Sequence, residues 1–521
     1  MLEVENKEDY SFLDFLNKRD QLNDLDNPFL QAVLHDITGE HWSDLSDKLQ
    51  PFSTKLSSEW RRVAAEISRP VNHPTLIHYD AYNRRIDRVV RPLEAVQLSD
   101  AIFSEGLFSE NNIAYEGIIK RYLLHGNGEV GITCPLACTD GLIALIENFY
   151  EEVCDEVKAI HQHVKEGLNG NFAIGAQYMS EIQGGSNIPA NVLKAVPNGN
   201  HYKLYGNKFF CSAVHADYSV VTARVDGTTN VAVFIVPSWL PGNKEKEIRN
   251  HFQINRLKWK LGTSELPSGE IDYNGSVAYK IGPEDKGVSL AVSLVLTRSR
   301  LDIGFASGAF LMRAAREAKT YANFRHVFDR KIDEFPMAAA QLADLEDAAK
   351  RMVATAFSIY SKFTEVDTIS PLEAFALREL ILLQKVYASK EAVEKLRLAI
   401  SIFGGHGAIE DFSSIPRLFR DSMVNELWEG PRNVLLAQIY RDLAKCKWPI
   451  SDVLSSMFPH LSHEEIEQYS LRLNTIMQTN LVALPTLENM QAARNWELIW
   501  GELFLSYQEA VTEKYQDLPI L

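Results

Sequence analysis

The chain has 521 residues, of which 46% are hydrophobic and 23% charged, with a net charge of −16. Such a length exceeds one core and divides into about three domains, and the acidic balance argues against nucleic acid as a bulk partner. No run of about 20 apolar residues is present, so no membrane span is expected, and the acidic stretch Met1 to Asp9, without an apolar segment, points to the cytoplasm.

In chain order, residues 1–170 carry mainly helical patterns. Phe12, Leu13, Phe15 and Leu16 open an apolar face, and Pro70, Pro74 and Pro92 punctuate the connection between the early helices. Cys134 and Cys138 form a C-x3-C pair with no second Cys/His pair nearby, which argues against a metal site. The five scattered cysteines make no disulfide framework. Over 171–283 short β patterns are broken by turns. Tyr202 to Tyr205 and Lys208 to Cys211, separated by Gly206-Asn207, predict a hairpin. Val220 to Val225, Val231 to Val236 and a segment from Gly269 predict further strands.

Helical periodicity returns in 284–447, where Leu342, Leu345, Ala349, Met352, Ala356 and Tyr360 recur every three or four residues. A second long helix, 371–403, starts at a Pro and stops at Gly404-Gly405. Helices of that length need partners on several faces, as in a four-helix bundle. Residues 448–521 form a helical extension with ten acidic residues against three basic ones. The expected class is therefore α+β and multidomain: an N-terminal helical domain, a middle β-barrel or sandwich, a C-terminal four-helix bundle and the extension.

Five short segments can carry chemistry. Met179-Ser180-Glu181 with Gly184-Gly185-Ser186 is a polar loop whose backbone can approach an anion or a flat ring; it also reads as a plain turn. Phe210 with Ser212 offers a ring face and a hydroxyl for a planar cofactor, or a piece of sheet core. Arg325, near the end of a helix, can meet a phosphate or simply complement the helix dipole. Gly404-Gly405-His406-Gly407 exceeds what a helix cap requires. Trp428-Glu429-Gly430-Pro431 puts a carboxylate at a helix entrance beside an aromatic, fit for a base on a carbon acid or for a dipole contact.

In this order and spacing the segments resemble the acyl-CoA dehydrogenase family of flavoproteins over roughly residues 75–445. Within that family they look most like the AidB-type, alkylation-response branch. Tyr79-Asp80-Ala81, Gln183-Gly184-Gly185-Ser186, Lys208-Phe209-Phe210-Cys211-Ser212, Leu257-Lys258-Trp259-Lys260-Leu261-Gly262, Arg325-His326-Val327-Phe328 and Leu427-Trp428-Glu429-Gly430 carry the likeness.

The resemblance implies an FAD enzyme that dehydrogenates an acyl-CoA or related acyl thioester between its α and β carbons. Glu429 would be the catalytic base. Met179, Ser180, Gly185, Ser186, Phe210, Ser212 and Asn433 would border the flavin of their own subunit. Arg325, Phe328 and Gln341 would come from a partner subunit of a homotetramer, and Gly404 and Gly405 would face the adenine half. An unidentified electron acceptor is implied as well. The pattern is broken at Asp329, where the family has Gly, and at Pro431-Arg432-Asn433, where it has Thr-x-Gln. The branch also implies an alternative: a binding or damage-response role toward nucleic acid or lipid, with vestigial dehydrogenase activity. The acidic extension argues against its nucleic-acid form.

Overall fold

The computed structural model describes residues 10–168 and 170–521, so the acidic stretch 1–9 lies outside the described residues. Helices dominate the chain up to Lys165. Two of them, Glu116–Asn127 and Val130–Glu147, are almost wholly buried. Val130–Glu147 is apolar enough to cross a membrane by composition, with mean hydropathy 1.5, yet 83% of it is packed inside the protein. One element departs from the helical pattern. Thr75–Tyr79 (β1) and Arg85–Val90 (β2) pair as an antiparallel hairpin. The Asp80 carboxylate accepts the Tyr82 and Arg84 N–H groups, each at 2.9 Å, a local bond that offers the backbone an alternative to helix.

The middle of the chain is a sheet of Gly175–Tyr178 (β3), Lys194–Asn198 (β4), His201–Ser212 (β5), Tyr218–Val225 (β6), Val231–Pro237 (β7), Phe252–Leu257 (β8) and Ser268–Ile281 (β9). The pairings β6–β4, β4–β5, β5–β9, β9–β7 and β7–β6 close on themselves, which leaves few exposed edges. The parallel strand β3 extends from β6 and carries the polar loop at its end. The β6–β7 hairpin is the expected one.

The hairpin expected at 202–211 is not formed; the whole segment is the single strand β5. Gly206 and Asn207 lie opposite Tyr273 and Asp272 in the β9 ladder. Long β9 templates β5 from end to end, so tertiary pairing overrides a turn-prone dipeptide. The register shift between Leu204 and Tyr205 falls instead at Gly275 of β9, which has no partner in β5, the usual mark of a Gly inside a strand.

After the sheet, Thr297–Phe324, Pro336–Thr364 and Pro371–Ile402 pack together, joined by Ile415–Leu427 and Arg432–Lys445. Pro371–Ile402 begins with a reciprocal cap: Glu373 N–H donates to Ser370 Oγ at 3.3 Å, and Ser370 N–H donates to Glu373 Oε2 at 2.8 Å. The extension ends in the helix Leu487–Thr512, which buries Trp496, Ile499, Trp500 and Leu503 in the same core as the bundle. It therefore packs on its own chain. Buried charge pins the N-terminal helices to the bundle. Arg316 donates to Asp24 at 2.7 Å, and Arg417 donates to the carbonyls of Ala64 and Asn127 at 2.7 and 2.9 Å.

Candidate active site

Glu429 lies between two helices. Ile415–Leu427 ends just before it, and Pro431 is the N-cap of Arg432–Lys445 rather than its first helical residue. The connection is sharp because two successive residues have positive φ: Glu429 at 58° and Gly430 at 102°. Gly suits that region; Glu does not, and is held there by its neighbours. Arg300 Nε donates to the Glu429 carbonyl at 3.1 Å. Lys385 Nζ donates to the carbonyls of Glu426 and Gly430 at 2.9 and 2.6 Å. Gln177 Nε2 donates to Glu429 Oε1 at 2.8 Å and to Ser299 Oγ at 3.1 Å. Burial pushes the Glu429 carboxyl above its ordinary pKa, against the opposing pull of Arg300, the Gln177 bond and Lys385. Burial also lowers Lys385, to about 7.

The carboxylate borders a small cavity of about 40 Å³, room for a few water molecules. One wall is a stripe of the Val130–Glu147 helix: Val130, Thr133, Cys134, Ala137 and Cys138. Their spacing puts all five on one helical face. The facing wall comes from the start of the Thr297–Phe324 helix, and Trp428 adds an edge. A separate, basic cleft lined by Arg61, Arg69, Arg417 and Arg420 lies elsewhere and does not include Glu429.

The other expected residues fall into two groups. Met179 and Ser180 directly follow β3, whose Gln177 holds Glu429. The Ser180 carbonyl accepts the Phe209 N–H at 3.0 Å, which sets the loop beside Phe210 on β5. Gly185 sits where a Cβ would run into Ser180 Oγ. Ser186 is exposed, and so is Phe210, at 56%. Lys258 Nζ lies 4.6 Å from the centre of the Phe210 ring. Ser212 Oγ is 3.0 Å from Ser268 Oγ. Asn433 is exposed on the helix that follows Glu429.

The second group lies at the far end of the bundle. Arg325 caps the Thr297–Phe324 helix, its guanidinium 4.8 Å over the Tyr10 ring. Phe328 is 90% exposed at the tip of a two-residue turn, with φ values of 48° at Phe328 and 62° at Asp329. Asp tolerates that left-handed conformation better than most side chains, which explains how Asp329 can stand where the family pattern has Gly. Gln341, Gly404 and Gly405 are exposed nearby on the same bundle, and Gly405 has open space where a Cβ would be. Arg300, beside Glu429, and Arg325 are on one helix, about 37 Å apart by helical rise. The chain does not bring the two groups together.

Sequence reasoning missed Gln177, Arg300, Lys385 and the pair Glu181–Lys208. Lys208 Nζ donates to Glu181 Oε1 at 2.9 Å and to the Met179 carbonyl at 3.0 Å, with both side chains essentially inaccessible. Glu181 also accepts the Val192 and Leu193 N–H groups at 2.7 and 3.1 Å. The ion pair thus clamps the polar loop to β5.

A closed β domain between two helical regions, with a shielded carboxylate at a bundle turn, is the acyl-CoA dehydrogenase fold. Residues 285–444 match the acyl-CoA dehydrogenase C-terminal domain. Acyl-CoA dehydrogenase family member 11 of Caenorhabditis elegans is 28% identical over 442 residues, covering 80% of this chain and 70% of that protein. AidB of Escherichia coli (strain K12) is 26% identical over 457 residues, covering 84% and 81%. Among solved structures, Caenorhabditis elegans ACDH-11 in complex with C11-CoA matches with a TM-score of 0.81 at 24% identity, over 95% of this chain and 91% of that one. An acyl-CoA dehydrogenase from Bacillus anthracis complexed with FAD has the same fold, with a TM-score of 0.58 at 17% identity, over 81% and 82%.

Proposed function

We propose that this protein is an FAD-dependent acyl-thioester dehydrogenase in which Glu429 removes the α-proton. The observation that carries this reading is a carboxyl of raised pKa beside a largely apolar cavity, on a turn whose neighbours hold it in place. The residues present suit a flavin. Phe210 offers an exposed ring face, Gly185 permits close backbone approach, and Ser180 and Ser212 offer hydroxyls near it. When bound, the flavin would accept the β-hydride. Everything else falls to the chain. Gln177 orients the Glu429 carboxylate. The Glu429 N–H donates to no backbone carbonyl among the described residues, so it is free to stabilise negative charge developing on the thioester oxygen. Trp428 and the Val130–Glu147 stripe keep water from the carbon acid. A relative solved with C11-CoA supports a CoA thioester as the substrate.

The test is anaerobic: purified protein should carry FAD, and an acyl-CoA should bleach it. Absence of FAD uptake, or a flavin that no acyl-CoA reduces, would remove the enzyme reading. The pH profile adds detail. Because Glu429 must be ionised to act and burial raises its pKa, kcat/KM for bleaching should rise with pH through an inflection above the ordinary glutamate value. Arg300 and Lys385 hold that pKa down, so Arg300→Met should move the inflection to higher pH; an unmoved inflection would separate Arg300 from the base.

We also propose that Arg325, Phe328, Gln341, Gly404 and Gly405 serve the flavin of a neighbouring subunit in a homotetramer. The support is the distance of about 37 Å along one helix, together with the exposure of Phe328, Gln341, Gly404 and Gly405 beside the half-buried Arg325. Arg325→Ala should lose FAD on dilution while retaining its fold by circular dichroism, since a phosphate would lose its charged partner. FAD retention equal to the parent's, or a monomer in sedimentation at micromolar concentration, would contradict the shared site.

A further inference from the structure

The basic cleft away from Glu429 holds about 1040 Å³, at the upper end of the range for small-molecule sites. It opens where three parts of the chain meet: the Arg61–Ile67 helix, the loop that follows β8, and the start of the Ile415–Leu427 helix. Eight Arg or Lys side chains line it against four Asp or Glu, on a chain whose net charge is −16. A concave patch of sign opposite to its surroundings concentrates anions.

Part of this charge holds the fold, and part is left over. Arg420 pairs with Glu410, and Arg69 with Glu66 at 3.1 Å. Both pairs are largely open to solvent, contribute little to stability and can yield to a ligand. Arg417 differs. It is buried, and its Nη1 and Nη2 donate to the Ala64 and Asn127 carbonyls rather than to a carboxylate. Its Nε–H is buried without a partner, as are the Arg61 Nε–H and Ser57 Oγ on the helical stretch it packs against. All three side chains are more than nine-tenths buried and line the cleft. Burial, with Arg313 nearby, lowers the Arg61 guanidinium to about 10 in spite of Asp24, as an excess of positive charge requires. The Ile415–Leu427 helix begins in the same place. Its N-cap, Ser414, lines the cleft and makes no side-chain cap bond, so the positive end of the helix dipole adds to the field there.

Trp259 stands at the rim, fully exposed, with Leu261 55% exposed two residues on. Lys260 anchors the loop between them: Nζ donates to the Leu266 carbonyl at 2.7 Å and to Ser268 Oγ at 3.0 Å. A Trp ring held open to water beside a basic cleft is a stacking platform for a planar base. Guanidinium forks fit carboxylate and phosphate alike; the ring selects a ligand that carries phosphate and a flat base together.

We infer that this cleft is a nucleotide site, the phosphates received by Arg417, the exposed Arg62 and the start of the Ile415–Leu427 helix, the base stacked on Trp259. The site stands apart from the dehydrogenase reading. None of its residues borders the Glu429 cavity, and none of those assigned to the flavin lines it.

The test is calorimetric titration of the full-length protein in excess FAD, so that the flavin site is filled. ADP and GDP are the nucleotide probes, and inorganic pyrophosphate is the probe without a base. ADP should bind with a Kd on the order of 10–100 µM and weaken as salt is raised. Trp259→Ala, at an exposed position, should weaken ADP about tenfold, the worth of one stacked base, and leave pyrophosphate unchanged. Arg62→Glu, also exposed, should weaken both about tenfold or more. Arg417→Met should do the same, and the two surface variants decide the matter if it does not fold. Displacement of ADP by octanoyl-CoA, one for one, would identify the nucleotide as the ADP end of an acyl carrier; simultaneous binding would identify a free nucleotide. If neither ADP nor GDP binds, or if ADP binds the parent and both surface variants equally, the nucleotide site is refuted, and the bleaching test of the dehydrogenase reading is unaffected.

Discussion

Glu429→Gln should keep its FAD and its fold yet reduce the flavin with an acyl-CoA at least ~10²–10⁴-fold more slowly than the parent, the usual worth of a general base. The substitution preserves shape, and an amide oxygen can still accept from Gln177 Nε2. What disappears is the group that takes the proton. Glu426, three residues earlier, is the control. Its backbone carbonyl is held by Lys385, its side chain does not line the cavity, and Glu426→Gln should leave the rate within a few-fold. Stopped-flow bleaching under anaerobic conditions separates the two variants. Equal rates for Glu429→Gln and the parent would move the base elsewhere.

Lys208→Met should destabilise the protein by about 3–5 kcal/mol, the cost of leaving one partner of a buried ion pair uncompensated. Burial already lowers the Lys208 pKa to about 8 in spite of Glu181, so the ammonium is costly to hold even when paired. Glu181 stays ionised because Lys208 and the Val192 N–H favour its charged form. Without Lys208 that charge would have no counter-ion, and the loop carrying Met179 and Ser180 would loosen. Restoring neutrality with Glu181→Gln in the same chain should return a large part of the lost stability, because the amide still accepts from the strand. Denaturant unfolding of the single and double variants measures both effects. A single variant as stable as the parent would show that the pair carries no such role.

Much of the architecture was legible because it rests on period and order. The helical repeat of Leu342, Leu345, Ala349 and Met352 lies on one buried stripe of the Pro336–Thr364 helix. Val231–Pro237 is buried at every position, as a strand covered on both faces must be. What failed was local punctuation under a tertiary constraint. Gly206-Asn207 has turn chemistry, but pairing with β9 outweighs it. The β1–β2 hairpin was hidden because its strands are short and half exposed, and its organiser, Asp80, acts through a side-chain bond rather than a periodic pattern. For the candidate site, the segments around Ser180, Phe210 and Glu429 could be read because each pairs an aromatic or a glycine with a polar group at short range. Gln177, Arg300 and Lys385 could not, since each reaches Glu429 or its turn from more than 40 positions away in the chain. Contacts of that kind leave no trace in local spacing.

The left-handed backbone at Glu429 has a consequence for how this site can change over time. A side chain with a Cβ in that region costs of order 1–3 kcal/mol, and the same residue holds a carboxyl that would be more easily ionised in water. Both terms work against folding, so the position is one where most drift toward a smaller or neutral residue gains stability. A glycine would remove the backbone conflict and the desolvated acid in a single step. A chain selected only for abundance would therefore tend to lose this glutamate, so a glutamate in so unfavourable a conformation fits a role other than stability.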